Sequence, residues 1–236
     1  MSVRDRLQRG DVVVFAHRGD SQRFPENTLA AFESALRIGA DGVELDVRLS
    51  ADSVPMVMHD PSLLRTVGID MRVGGQSSAE LHRHDVPSLA EALDLVRGRG
   101  LVAIELKDDV DVREGAAAAA IATVRRTGMD DDVMLLAFDH RHLVEARTLD
   151  REVFTVALVA ERPADVAALV EAVGADGVGP LALLIDAPLV QRAHRSGAIV
   201  AAWTVDDEEE AAGLAGMGCD VLITNRPAAV IGRLRP

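Results

Sequence analysis

Cysteine occurs once in the 236 residues, at Cys219, and tyrosine does not occur at all. A lone thiol excludes an internal disulfide and any cysteine-rich zinc site. Aromatic residues make up only 3% of the chain, so its core must be assembled from Ala, Val and Leu. Basic residues are also short: 25 Lys and Arg stand against 38 Asp and Glu, a net charge of −13. That balance argues against nucleic acid as a general partner, since such binding draws on Lys and Arg to neutralise phosphates. It equally disfavours stable adsorption to an anionic membrane surface. No run approaches the ~18 apolar residues of a membrane span, and no apolar stretch follows the arginines at Arg4, Arg6 and Arg9. The reading is therefore a cytoplasmic protein. Nothing in the sequence speaks to oligomeric state.

What the chain does have is 48% hydrophobic residues, enough for a sizeable core, arranged in a persistent rhythm. Short Val/Ile/Leu runs alternate with longer Ala/Leu/Glu/Arg segments from end to end. The runs predict strands at Val12–Ala16, Gly42–Val47, Leu101–Leu106, Val133–Phe138, Val153–Leu158, Asp176–Val178, Ala198–Ala202 and Val221–Ile223. They are nearly continuous rather than alternating, as parallel strands buried on both faces require. Helices fit between them. Leu29, Phe32 and Leu36 share one face of the first, which stops at Gly39, and Ser88-Leu89-Ala90-Glu91 reads as a capping box. Pro163 and Pro188 suit first helical turns, and Asp206 to Glu210 reads as an acidic, solvated helix start. Eight β-then-α units in this length predict an α/β fold, a (β/α)8 TIM barrel, with a doubly wound open sheet as runner-up. One domain spanning 1–236 is expected. Val54–Met58 is read as an extra strand or an extension of the second, and the polar segment 60–87 as a small insertion over the barrel mouth.

Barrel active sites sit at the C-terminal strand ends, and there the ionisable residues collect. The first strand ends in Ala16-His17-Arg18-Gly19, the second in Glu44-Leu45-Asp46, the third in Glu105-Leu106-Lys107, and His59-Asp60 follows Val54–Met58. Strand side chains alternate, so Glu44 and Asp46 share a side, as do Glu105 and Lys107. Three carboxylates converging in an apolar barrel need compensation. For any one of them an ion pair with Arg18 or Lys107 would suffice. For all three together a bound cation is the better account, and an all-oxygen set favours Mg²⁺, Ca²⁺ or Mn²⁺ over Zn²⁺. Such a cation with two fixed positive charges and two histidines suggests phosphoester chemistry. In that chemistry Arg18 and Lys107 meet phosphate oxygens while His17 and His59 exchange protons as an acid–base pair. His82, His84, His140, His142 and His194 read as surface residues, and Cys219 as small packing.

These residues, with Pro25-Glu26-Asn27-Thr28, Arg65-Thr66, Val86-Pro87-Ser88-Leu89 and Trp203-Thr204-Val205, resemble the glycerophosphodiester phosphodiesterases of the bacterial, soluble type, in the family's order along the whole chain. The resemblance implies a barrel that hydrolyses glycerophosphodiesters, small-molecule substrates, to sn-glycerol 3-phosphate and an alcohol. By this likeness Glu44, Asp46 and Glu105 are metal ligands, His17 and His59 the acid and base, and Arg18 and Lys107 the phosphate binders. Trp203 would line the glycerol side or pack at the rim, and Glu26 would orient Arg18. The chain departs at Ile223-Thr224-Asn225-Arg226-Pro227, where the family usually carries Asp in place of Asn225; a cap-like role before the last helix is one reading of it. Two other activities share these residues: a lysophospholipase D or phosphoinositide phospholipase, and a non-catalytic barrel that only binds phosphate or metal. The first needs an apolar approach to the site, for which the insertion shows no stripe. The second would be favoured by loss of an acid or a histidine, and none is missing.

Overall fold

The computed structural model describes residues 2–107 and 115–235. In chain order the elements are α1 (Val3–Gln8), β1 (Val13–His17), α2 (Leu29–Arg37), β2 (Gly42–Leu49), β3 (Pro55–Val57), α3 (Leu64–Val67), α4 (Ser78–His82), α5 (Leu89–Val96) and β4 (Leu101–Leu106). They continue as α6 (Ala116–Thr127), β5 (Val133–Ala137), α7 (Arg141–Leu149), β6 (Phe154–Val159), α8 (Val166–Val173) and β7 (Gly177–Pro180). The chain ends with α9 (Ala187–Arg195), β8 (Ile199–Ala202), α10 (Glu208–Met217), β9 (Val221–Thr224) and α11 (Pro227–Leu234). Strand order runs β1-β9-β8-β7-β6-β5-β4-β2, and β1 also pairs with β2, so eight parallel strands close on themselves. This is the (β/α)8 barrel that the eight apolar runs predict, and no open sheet edge survives to support the doubly wound alternative.

Closure places two sets of apolar side chains. Val13, Phe15, Ala103, Met134, Leu136, Val156, Val221 and Ile223 fill the barrel interior, and Val3 and Leu7 of α1 pack onto the lower part of that cluster. Each large apolar side chain buried this way contributes roughly 1.5–3 kcal/mol. Helix α1 is absent from the sequence reading; six residues are too few to show a 3.6-residue period. Outward strand residues such as Leu45 and Ile104 meet Phe32, Leu89 and Ala120 of the surrounding helices. Gly42 opens β2 because a Cβ there would stand 2.3 Å from the carbonyl oxygen of Leu101, so only glycine lets β2 and β4 pair.

Local signals held at several helix ends. Ser88 and Glu91 make both bonds of the capping box, Thr28 caps α2, and Pro188 lies in the first turn of α9. Pro163 does not open a helix; it precedes Asp165, whose carboxylate caps α8 with a stronger acceptor for the orphan amides. The run Val54–Met58 resolves as an extra strand, β3, antiparallel to β2 with Val47 opposite Val57. The residues after it carry α3 and α4 over a small core of Met56, Met58, Leu63, Val73, Leu81 and Val86. Among the described residues no helix is long and apolar enough to cross a membrane.

Candidate active site

Register decides which acids meet. Asp46 of β2 lies opposite Glu105 of β4, and His17 of β1 lies opposite Glu44 of β2. Glu44, Asp46 and Glu105 are all buried, and each offers an oxygen within 4.8 Å of the others. Burial, reinforced by Asp46 and Glu105, holds the Glu44 carboxyl well above its ordinary range. Burial and Asp46 likewise raise Glu105. At Asp46 burial also pushes upward, but Lys107 and Arg18 together outweigh it and keep this carboxyl low. One ionised and two reluctant acids therefore share a pocket.

Two cations reach them from neighbouring strand ends. Lys107 Nζ stands 2.8 Å from Asp46 Oδ1 and also contacts Glu105. Burial alone would lower the lysine, yet the two carboxylates raise it. Arg18 adopts φ +57°, a conformation rare outside glycine, and so turns its backbone N–H to donate to Glu44 Oε2 at 2.9 Å. Gly19 beside it has φ +81°, and a Cβ there would sit 2.7 Å from Ala31 of α2, so this turn packs flush on the helix. The Arg18 side chain donates to Glu26 Oε1 at 2.9 Å. Asn27, also at positive φ, donates to Asp46 Oδ2 at 2.7 Å. Its importance went unread, although it lies within a motif already singled out.

Both histidines are gripped from behind. His17 Nδ1 meets Asn225 Oδ1 at 2.6 Å, while its Nε2 lies 3.9 Å from Glu44. Asn225 is itself held by Asp206, which accepts from its backbone N–H and its side-chain amide, both at 2.8 Å. With the amide nitrogen committed to Asp206, the Asn225 oxygen faces His17 and accepts from Nδ1–H. The capping reading of Asn225 thus gives way: Arg226 occupies the N-cap position of α11 with no side-chain cap, and Asn225 reaches the barrel mouth instead. Asp206 likewise lies outside α10, whose cap is Asp207. On the other side His59 Nδ1 meets Asp60 Oδ1 at 2.6 Å. Arg65 pulls the Asp60 carboxyl down to about 2. Burial lowers both His17, with help from Arg18, and His59.

Trp203 stands apart from this cluster. Its indole N–H donates to the Gly179 carbonyl at 2.7 Å, and its ring meets Phe138 edge-on at 5.3 Å. Phe138 follows β5 and Trp203 follows β8, so the pair forms an apolar wall at the barrel mouth. Among the remaining histidines, His140 is half-buried and reaches the Leu158 carbonyl at 3.0 Å, which makes it a strand-end brace rather than a surface group. Cys219 is packed, with burial pushing its thiol up to about 12.

The donor set fits a divalent cation. Asp46 is buried between two charges, with Lys107 Nζ 2.8 Å from Oδ1 and Arg18 Nε 3.3 Å from Oδ2, ion pairs whose atoms are not aligned for hydrogen bonds. Two acids held above their range mark a site that a further positive charge would relieve, and all three acids are hard oxygen ligands.

A profile of the glycerophosphoryl diester phosphodiesterase family matches residues 17–229. The chain belongs to that family. This phosphodiesterase is 29% identical to the glycerophosphodiester phosphodiesterase of Caldanaerobacter subterraneus subsp. tengcongensis, over 94% of this chain and 98% of the relative. It is also 29% identical to the enzyme of the same name from Bacillus altitudinis, over 91% and 94% of the two chains. Its fold resembles an Oleispira antarctica phosphodiesterase solved with the product sn-glycerol-3-phosphate, with TM-score 0.90, 26% identity, and 98% and 99% of the two chains covered. The phosphodiesterase is accordingly a hydrolase of phosphoric diesters, and its acidic triad supplies a place for a metal.

Proposed function

We propose that the chain hydrolyses glycerophosphodiesters to sn-glycerol 3-phosphate and an alcohol. One observation carries the reading: beside a three-carboxylate cluster, two histidines are each engaged at Nδ1 from behind, which reserves both Nε2 atoms for the pocket. The product bound to the Oleispira antarctica relative supports the same substrate class.

In this reading Glu44, Asp46 and Glu105 hold one divalent cation, Mg²⁺ or Ca²⁺, with Mn²⁺ also suited to their oxygens. When bound, it supplies positive charge against the charge that develops on phosphate oxygens and lowers the pKa of a nearby hydroxyl. Arg18 and Lys107 bind and orient the phosphate. His17, backed by a neutral amide and flanked by Arg18, keeps its proton on Nδ1 and takes one at Nε2 from the attacking hydroxyl. His59, backed by the Asp60 carboxylate, has a counter-charge for its imidazolium form and gives a proton from Nε2 to the leaving alkoxide. Trp203, with Phe138, covers the apolar side of the glycerol unit. The 60–87 segment is read as an addition to a single 1–236 domain, placed at the mouth because it delivers α3 there.

A second reading, a lysophospholipase D or related activity in the same site, gains one observation. Leu64 and Val67 of the insertion, Phe138, and Leu183 after β7 all expose apolar surface on the C-terminal side of the barrel. The deciding experiment measures release of glycerol 3-phosphate from glycerophosphocholine, and of choline from lysophosphatidylcholine, with and without EDTA. Metal-dependent glycerol 3-phosphate release supports the first reading. Faster turnover of the lysolipid would transfer support to the second, and inactivity toward both with metal present would leave a binding barrel.

A further inference from the structure

Arg65 lies on α3, in the insertion, and its guanidinium is divided between two carboxylates. Nη1 and Nη2 donate to Glu26 Oε2 and Oε1 at 2.9 and 2.6 Å, and Nε donates to Asp60 Oδ2 at 2.5 Å. Each carboxylate has a second duty. Glu26 Oε1 accepts from Arg18 Nη1 at 2.9 Å, and Asp60 Oδ1 holds His59 Nδ1 at 2.6 Å. The contacts form one unbroken chain, Arg18–Glu26–Arg65–Asp60–His59, from the loop after β1 to the loop after β3. We infer that Arg65 is a positioning residue that sets Arg18 and His59 together, so that the insertion exists in part to deliver this clamp.

The physical case rests on the shape of the group. A guanidinium is planar, with donors on separate edges, and can grip one carboxylate bidentately while a third donor takes another. A lysine ammonium is a point charge and could not fix both. The fixed edge on Glu26 leaves that carboxylate one orientation in which to meet Arg18, and the Nε contact does the same for Asp60 and His59. Arg65 pulls the Glu26 carboxyl below its ordinary range, with Arg18 adding to the effect. The side chain of Arg65 is 48% exposed, so its ion pairs add little to stability. Its consequence lies in geometry, where a misplacement of about 1 Å can cost on the order of 10²-fold in rate.

The inference builds on the proposed hydrolase reading, and the test separates the two. Arg65→Met, Asp60→Asn and the double variant of the full chain are compared with wild type in three measurements. The first is kcat and KM on glycerophosphocholine at saturating metal. The second is calorimetric affinity for glycerol 3-phosphate in EDTA, which reads Arg18 without catalysis. The third is ¹H–¹⁵N NMR of the His59 ring, which reads its tautomer. Arg65→Met should keep a Tm within about 3 °C of wild type, bind glycerol 3-phosphate more weakly and lose the single Nδ1–H tautomer of His59. It should also lose roughly 10–100-fold in kcat/KM, shared between kcat and KM. In the Asp60→Asn background, where that arm is already broken, Arg65→Met should still weaken glycerol 3-phosphate binding but leave the His59 tautomer where Asp60→Asn alone puts it. A folded Arg65→Met with wild-type affinity and an unchanged His59 tautomer would overturn the inference, as would a further change of that tautomer on adding Arg65→Met to Asp60→Asn. A wild-type protein that binds glycerol 3-phosphate yet hydrolyses no diester would refute the hydrolase reading instead, with the affinity and NMR arms still deciding on Arg65.

Discussion

Replacing Glu44 with Gln should stabilise the metal-free protein while abolishing its response to metal. The oxygens of Glu44, Asp46 and Glu105 lie within 4.8 Å of one another. At an effective dielectric of about 20, two full charges at that separation repel by about 3.5 kcal/mol. Lys107 offsets part of this repulsion. Burial and the neighbouring acids raise the Glu44 carboxyl, which favours its protonated form and eases some of that repulsion. A folded-state carboxyl held above its unfolded value means that the folded chain binds a proton the unfolded chain has released. Stability is then greatest below the ordinary glutamate range and falls as pH rises toward the folded value, by at most about 1.4 kcal/mol per pH unit. Glutamine has no such proton to lose, and its amide oxygen can still accept from the Arg18 N–H. Urea denaturation in EDTA across pH 5 to 9 should therefore show the advantage of Glu44→Gln over wild type widening with pH, to roughly 3 kcal/mol. With millimolar Mg²⁺ or Ca²⁺ the order should reverse, since wild type gains binding energy that the variant has lost. A variant less stable than wild type at pH 9 in EDTA, or equally stabilised by metal, would refute the reasoning.

Three other expectations follow from the same geometry. His17→Ala and His59→Ala should each lower turnover by on the order of 10²–10⁴-fold, and the double variant by much less than the product, as steady-state kinetics on glycerophosphocholine would show. Asn225→Leu should free the His17 ring and reduce kcat by about 10-fold or more with metal affinity unchanged; an unaltered kcat would confine Asn225 to structure. Native Cys219 should resist iodoacetamide at pH 8, because a thiol raised to about 12 is almost wholly protonated there, and mass spectrometry should find modification only after unfolding.

The acids of the site were legible because they follow local rules. Glu44 and Asp46 sit two residues apart on a strand, and so do Glu105 and Lys107, so alternation alone puts each pair on one side. A barrel then turns those sides inward. His17 and His59 could be singled out because each closes an apolar run at a strand end, where barrel chemistry collects. The supporting residues followed no such rule. Asp206 lies beside an acidic helix start and reads as part of it, yet its carboxylate serves Asn225, 19 residues further on. Arg65 lies in a motif that helps to mark the family, among Leu63, Leu64 and Val67, but nothing local states which carboxylates it will meet.

What the sequence determined by itself is the order of elements, the inward faces of the strands and the chemical types at their ends, all carried by periodicities of a few residues. Only the tertiary structure decided the pairings. His17 and Asn225 are 208 residues apart and meet because β1 and β9 close the barrel. Phe138 and Trp203 meet across the mouth from strands that are not neighbours, and Glu26 and Arg65 join two loops 39 residues apart. Such contacts depend on barrel closure and on how each loop leaves its strand. A local pattern of apolar and polar residues states that a side chain points inward, but it holds no information about which distant side chain will be there to meet it.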